Sequence, residues 1–428
     1  MPSGGGRQIG PTFAALLALA ACTAGAQPAT GSRPFAVRQG WQFRPGVSFA
    51  YDSFGQRYVI SDNDTLDLID ELSARLHTSV EHFGRTHFRL QNALGYGQEA
   101  TRDDLVAGLQ QPLGRRTEFR ADQELHYKAY APNSDYALSS DYLVGTTRAA
   151  ALFRPAPQWR LRVDDRFEAT WFRNPGRYNY AYRLNDTGAE IERSYGLLSR
   201  LRLGYTYGWR SVPDSTAIDY QRHIVITDWE HGIGLHGLGI EQRAERRFFG
   251  DPTVRSHYWD YNGTLYGHVF LHEHARLRPE YRGTVTHYDR PDSLWSNATE
   301  QSAELLIEGD ISARTVLAVG PRGEFRRTSS AVDRAYNQWG LKGSVTLALG
   351  NTLWLQFTDE IGLRRHFAGE DLLFSDYTFN WSTLYLSWLP APRVGLDLFF
   401  SLSPESHQDK TNDTTTLLLS AAMTYGWR

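Results

Sequence analysis

Charged side chains recur at every second position in one stretch of the chain, a spacing that could place them along a polar passage. They carry charges of both signs and alternate with apolar residues: Arg160, Arg162, Arg166 and Glu168. On a β-strand, side chains two positions apart share a face, so these charges would stand together. Because a buried charge without water or a partner is very costly, that face must either line water or form ion pairs. Two further stretches repeat the pattern, with candidate residues at Arg120, Glu124, Lys128, Glu241 and Arg243.

Three histidines form the one local cluster that could bind a metal ion: His268, His272 and His274. His272 and His274 would point to the same side of a strand, as a pair of metal ligands requires, and His268 is in phase with them. The segment also falls at a predicted turn, where exposed polar side chains need no metal to explain them. The sequence leaves both interpretations open.

Other chemical motifs are weaker. Gly232, Gly234 and Gly237 match a dinucleotide fingerprint by their spacing, but no strand–helix unit surrounds them. We therefore interpret them as glycines of a strand and turn, and we expect no cofactor. Serines, histidines and acids are scattered without the local signature of a nucleophile and its base, so these residues neither supply nor exclude an outer-membrane hydrolase. From the fold class, we expect no enzyme activity.

Amphipathic strands are the elements that must position the charged residues. Between Trp159 and Trp171 one face is apolar or aromatic, with Asp165 as an unexplained exception. These two tryptophans would lie roughly 30 Å apart along the membrane normal on a tilted strand, close to the spacing of two aromatic girdles. A soluble β-sandwich would also alternate, but it would not place so many aromatic residues at the ends of its strands.

The last strand-sized stretch, residues 415–427, alternates in the same way and ends in Tyr425 and Trp427. It resembles the closing strand of bacterial outer-membrane β-barrels, although those strands usually end on the aromatic residue and here Arg428 follows. We assign Trp159, Trp171, Tyr425 and Trp427 to the aromatic girdles. The resemblance implies an all-β fold, a transmembrane antiparallel up-and-down barrel, recognised by the barrel-assembly machinery.

The alternating runs also predict the number of strands. Counting alternating runs predicts about 18 strands, with 16–20 allowed. Residues 192–210 alternate nearly throughout, and they could be one long strand or two strands around a turn near Leu198. Residues 65–80 fit a strand, but their leucines also fit helical spacing.

The N-terminus predicts export. An apolar stretch at residues 13–21 precedes Ala24, Gly25 and Ala26, a small-x-small cleavage site. We predict a signal peptide at residues 1–26, a short segment at 27–39, too short for a plug domain, and the barrel at 40–428. The alternative is lipidation of Cys22. Because Cys22 is the only cysteine, the mature chain can have no disulfide framework.

Composition narrows the environment and the partners. The net charge of −3 does not suggest a nucleic-acid partner, and no stretch of ~18 apolar residues could form a transmembrane helix. The chain has 23 Tyr and 12 Trp, residue types that concentrate at membrane–water interfaces. We expect contact with outer-membrane lipid and lipopolysaccharide in the bacterial outer membrane, and a homotrimer is compatible with this architecture.

A hydrated lumen with charges of both signs resembles that of porins, in which rings of charge set ion selectivity. The resemblance implies an outer-membrane channel that passes small polar or charged solutes. The alternative is an occluded barrel, closed by the same ion pairs, that serves as a scaffold, an adhesin or an export component.

We predict that the mature protein begins at Gln27, because signal peptidase would cleave after Ala26. Intact mass and N-terminal sequencing of protein extracted from membranes test this. An acylated N-terminal Cys22 would show instead that the chain is a lipoprotein.

Overall fold

The structure, a computed structural model, describes ten stretches of the chain: residues 40–60, 63–97, 100–130, 141–174, 180–196, 198–292, 295–329, 335–350, 352–367 and 375–426. The predicted signal peptide, the segment 27–39, Cys22 and the girdle residue Trp427 lie outside these residues. Among the described residues, no helix is long and apolar enough to cross a bilayer.

Each alternating run forms a strand, and 20 antiparallel strands form one closed sheet. Every strand pairs with the next along the chain, and the first pairs with the last. The strands are β1 Gly40–Ile60, β2 Asn63–Phe83, β3 His87–Gly97, β4 Ala100–Pro112, β5 Thr117–Tyr130, β6 Tyr142–Phe153, β7 Trp159–Phe172, β8 Tyr182–Ser194, β9 Arg200–Ser211, β10 Tyr220–Ile233, β11 His236–Phe249, β12 Tyr258–His272, β13 Ala275–Tyr288, β14 Ala298–Ser312, β15 Thr315–Thr328, β16 Tyr336–Leu349, β17 Leu353–His366, β18 Tyr377–Ala391, β19 Val394–His407 and β20 Thr414–Gly426. The predicted fold class is confirmed.

The strand number lies at the upper limit of the predicted range, so the central value of about 18 was too low. Residues 192–210 belong to two strands, β8 and β9, joined by a turn in which Tyr195 N–H donates to Ser199 O (2.8 Å). Gly196 takes a positive φ of 71° in that turn. Alternation continues in phase across the turn, so the period alone could not mark the reversal. Residues 65–80 lie in β2, which confirms the strand over the helix.

All connections longer than five residues lie at one end of the barrel. Residues 113–116, 154–158 and 313–314 connect strands at one end, whereas residues 212–219 and 250–257 are longer connections at the other. Gly46 pairs with Gly426 beside the short turns, so β1 begins and β20 ends at that end. In outer-membrane barrels the short turns are periplasmic and the long loops extracellular. Two short 3₁₀ helices, Thr216–Ile218 and Lys410–Asn412, lie in the long connections.

The inner face is identified by contacts between side chains two strands apart. Arg222 on β10 reaches Asp186 on β8 across β9, with Nη2 and Oδ2 2.5 Å apart. Side chains converge in this way only on the concave side of a curved sheet. Arg166 of β7 is in register with Asp186, and the opposite face of β7 carries the exposed apolar residues Val163, Phe167 and Trp171. The predicted assignment of faces in β7 therefore matches the structure.

Asp165 is the polar exception on the outer face of β7, and the structure explains how it is accommodated. Asn185 Nδ2 donates to both of its carboxylate oxygens, at 3.0 and 3.1 Å. Thr187 Oγ1 donates to Oδ1 at 2.6 Å. The carboxylate is thus hydrogen-bonded by the outer face of β8, which lowers the cost of placing it away from water.

The aromatic residues assigned to the girdles lie near strand ends. Trp159 and Trp171 stand at opposite ends of β7 on its outer face, and Trp171 is half exposed. Arg193 places its guanidinium carbon 5.2 Å from the centre of the Trp159 ring, an interfacial cation–π contact. Tyr425 lies at the short-turn end of β20, in register with Val47 and Val394.

Neighbouring residues in β20 provide a test of strand facing. Leu419→Arg should place a charge in the middle of the outer face and lower the free energy of unfolding by about 2–4 kcal/mol. Ser420→Arg, the matched control, points into the lumen and should change it far less. Urea unfolding in lipid vesicles, followed by the heat-modifiable band, measures both. Equal losses for the two variants would contradict the assignment of faces.

Candidate functional site in the barrel lumen

The predicted residues of β7 lie on the inner face, and each arginine meets a carboxylate. Arg160 lies 3.8 Å from Glu192, measured from Nη1 to Oε2, and Arg162 lies 3.1 Å from Asp164, measured from Nε to Oδ1. Arg166 donates to Glu168. Glu168 also accepts hydrogen bonds from other inner-face groups, Tyr182 Oη at 2.7 Å and Thr146 Oγ1 at 3.4 Å. The face is therefore an ion-pair network and not a row of free cations.

The predicted residues of β5 share the inner face and form a similar network. Arg120 donates to Glu118, and Glu124 accepts from Arg148 on β6. Lys128 places its ammonium 4.3 Å from the centre of the Tyr130 ring. Strand β6 lies between β5 and β7, so these two predicted sets form one continuous sector of the wall.

The third predicted set, on β11, lies in a separate sector four strands from β7. Arg243 donates to Glu245 and lies 3.8 Å from Asp260, measured from Nη1 to Oδ2. Glu241 faces Asp228 in the register of β10 and β11. The structure thus places all the predicted charged residues in the lumen, but it does not bring them to one point.

Glycines on the inner face create room for these longer contacts. A Cβ added to Gly208 of β9 would lie 2.1 Å from Asp186 Oδ1 and 2.9 Å from Arg222 Nε. Only a residue without a side chain permits that pair to bridge β8 and β10. Arg322 on β15 and Glu360 on β17 meet in the same way, at 2.7 Å. The sequence analysis did not identify these pairs, because their partners are distant along the chain.

Several inner-face arginines remain accessible despite their ion pairs. Their side chains are 40% exposed at Arg162, 47% at Arg278 and 65% at Arg282. Some of the acids that hold arginines are much less accessible, with side chains of Glu245 and Glu308 exposed by only 3% and 5%, whereas Asp164 beside Arg162 is 36% exposed. At Glu245 and Glu308 the carboxylate therefore lies against the wall, and guanidinium groups extend past it into the lumen, where water can reach them.

The three candidate metal ligands do not converge. His272 and His274 have ring centroids 5.9 Å apart, whereas the His268 ring packs against Phe270. The register of β12 with β13 shifts between Phe270 and His272, which breaks the phase that the sequence suggested. Throughout the described stretches, no group of three or more His, Cys, Asp or Glu side chains could hold a metal ion.

The sequence analysis missed a group at the loop end of the lumen, which we call the loop-end arginine cluster: Arg210, Arg222, Arg247 and Arg255. Its guanidinium groups surround buried aromatic rings. Tyr220 has Arg247 at 4.4 Å and Arg210 at 4.5 Å from its ring centre. Arg255 lies between two rings, 4.6 Å from Phe249 and 4.7 Å from Trp295.

A sequence signal for this cluster does exist. Tyr220 and Arg222 lie two apart near the start of β10, and Arg247 and Phe249 lie two apart at the end of β11. Such spacing places an aromatic ring and a guanidinium on one face. The contribution of Arg255 could not be inferred, because it comes from the connection between β11 and β12.

No family model and no curated relative matches the chain. Among solved structures, the barrel is similar to the alcaligin outer-membrane receptor FauA from Bordetella pertussis, with a TM-score of 0.57 and 12% identity over 89% of this chain and 76% of that one. It is also similar to the siderophore receptor PirA from Acinetobacter baumannii (0.56 and 8%, over 90% and 80%). The PirA receptor from Pseudomonas aeruginosa gives 0.55 and 11%, over 91% and 81%. At these identities the similarity shows the fold, which is that of bacterial outer-membrane β-barrels.

Gly208 provides a test of the contacts that bridge alternate strands. Gly208→Ala should push Asp186 and Arg222 apart and lower the free energy of unfolding by about 1–3 kcal/mol. Gly204→Ala is the matched control on the same strand and face, because its nearest neighbour would be 3.8 Å away. Urea unfolding of both variants measures the difference. Similar stability of the two would show that the pair does not need this gap.

Proposed function

We propose that this protein is an outer-membrane channel that passes small polar or charged solutes. The observation that carries the proposal is the accessibility of the inner-face arginines, whose side chains are 36% exposed at Arg202 and 65% exposed at Arg282. In a barrel closed by its own side chains, these guanidinium groups would be buried against each other. Their exposure supports a hydrated passage.

The arrangement of charge supports selective passage. Fixed charges in a confined passage with a low-dielectric wall focus the field on permeating ions. At some pairs the guanidinium group extends into the lumen and its carboxylate partner lies against the wall, as with Arg278 (47% exposed) and Glu308 (5%). A permeating solute would meet cationic groups at these pairs. We infer a preference for anions.

Proteins of the same fold are consistent with a role in solute uptake. FauA is an alcaligin receptor and PirA a siderophore receptor. The shared fold does not by itself imply a channel. The channel proposal rests on the side chains that line the lumen of this chain. An occluded scaffold would contain the same ion pairs, but it would need their guanidinium groups to be covered. We propose that the protein is not an enzyme.

Reversal of two lumen charges tests the channel. Arg160→Glu combined with Arg162→Glu should shift the reversal potential under a salt gradient toward cation selectivity, because both side chains extend from β7 into the barrel lumen. Arg166 is left unchanged, since its partner Glu168 is only 9% exposed and would lose its compensating charge. Purified protein in planar bilayers provides the measurement.

Arg173→Glu is the matched control. Arg173 is 77% exposed in the connection after β7, where solvent and salt screen its charge, so selectivity should change little. A folded wild-type protein that shows no discrete conductance would favour the occluded scaffold. If the double variant conducts with an unchanged reversal potential, β7 does not line the conducting path.

A further inference from the structure

The loop-end arginine cluster differs from the rest of the lumen in its balance of charge. Two of its members have carboxylate partners: Arg222 with Asp186, and Arg247 with Glu245. Glu245 is already shared, because it also accepts from Arg243. Arg210 and Arg255 form no ion pair with any carboxylate in the described part of the chain. The cluster therefore has more cations than acids.

Two carboxylates of the adjoining loops form no ion pair with the cluster. Asp219, in the connection between β9 and β10, accepts a hydrogen bond from the Val212 N–H at 2.5 Å. Asp251, in the connection between β11 and β12, accepts from the N–H and the hydroxyl of Thr253, at 2.8 and 2.6 Å. Both acids are used to shape their own loops.

The two surplus arginines are held in place and only partly satisfied. Arg210 donates from Nη2 to the backbone oxygen of Ile218 at 2.9 Å. Arg255 is clamped between Phe249 and Trp295. The Nε–H of each is buried, and no protein atom among the described residues accepts a hydrogen bond from it. Two guanidinium groups are thus fixed by neighbours that leave donor capacity unused.

Electrostatics at Arg255 agree with this geometry. Burial lowers the pKa of its guanidinium, and the neighbouring charges of Arg210 and Arg247 lower it further. The arginines that act on it are cations, and a bound anion would relieve their repulsion. Deeper in the lumen the pattern is different, since Arg276 and Arg278 both contact Glu308.

We infer that the loop-end arginine cluster is a binding site for small organic dianions, which it takes up through their oxyanion groups at Arg210 and Arg255. Guanidinium groups bind carboxylate and phosphate oxygens with charge-assisted hydrogen bonds, and two uncompensated cations match two negative charges. The site lies at the end with the long connections, where solutes from outside the cell would first meet the lumen. This inference rests on the proposed channel function, because it assigns the cluster the role of binding solutes before they pass through the channel.

A charge series of one carbon skeleton tests the ligand class. Isothermal titration calorimetry of the full-length barrel in detergent would compare succinate (dianion), succinamate (monoanion) and succinamide (neutral). Succinate should bind about tenfold more tightly than succinamate, and succinamide should not bind measurably. Glycerol 3-phosphate tests whether a phosphate dianion serves equally. Equal affinity for all three members of the succinate series would overturn the proposal.

Variants test the residues. Arg255→Gln should weaken succinate binding about tenfold or more, and Arg255→Lys should weaken it less, because it retains the charge but not the planar fork. Arg173→Gln is the matched control, an arginine of the connection after β7 that is 77% exposed and already paired with Asp141; succinate affinity should stay within about twofold of wild type. If Arg255→Gln does not give a heat-modifiable folded band, Arg210→Gln replaces it.

The outcomes separate the site from the channel. If succinate binding depends on Arg255 but the protein shows no conductance, the binding site is supported and the channel is contradicted. If the protein conducts but does not bind succinate, the channel is supported and the binding site is contradicted. If neither Arg255→Gln nor Arg210→Gln changes the affinity for succinate, the binding site is also contradicted.

Discussion

The requirement that every backbone N–H and C=O be paired inside a membrane underlies the whole structure. A sheet satisfies it only if it has no free edge, and here β1 closes on β20 with 13 residue pairs in register. Closure forces every strand to present one face outward and one face inward. All the other features of the chain, from its alternating sequence to its charged lumen, follow from this division into two faces.

The inner face must then accommodate charge without excessive cost. The wall does so by placing carboxylates such as Glu245 and Glu308 at the sheet surface, where several donors reach them, and by letting guanidinium groups extend toward water. Breaking one of these pairs would leave a buried acid unpaired, which costs far more than the pair contributes when it is intact. The same network thus supports the barrel and sets the field in the passage.

At the loop end this compensation is incomplete. Arg210 and Arg255 are positioned by aromatic rings and a backbone oxygen instead of by acids. A protein that needed only stability would gain from an acid there. Residues that hold cations in place without neutralising them create a local positive potential, which is useful chiefly for binding an anion. The mouth of the lumen is therefore chemically distinct from its wall.

The sequence by itself determined the class of fold and the facing of side chains, because alternation is a local property with a period of two. It predicted a shared face for Arg160 and Arg162 and for Glu241 and Arg243, and in the structure each pair lies on one face of its strand. It could not count strands where alternation continues through a turn, as between Ser194 and Arg200. It also could not show which charges meet, because pairs such as Arg222 and Asp186 are 36 residues apart and join across a glycine. Those contacts, and the surplus of cations at the loop end, depend on sheet curvature and loop position, which only the tertiary structure decided.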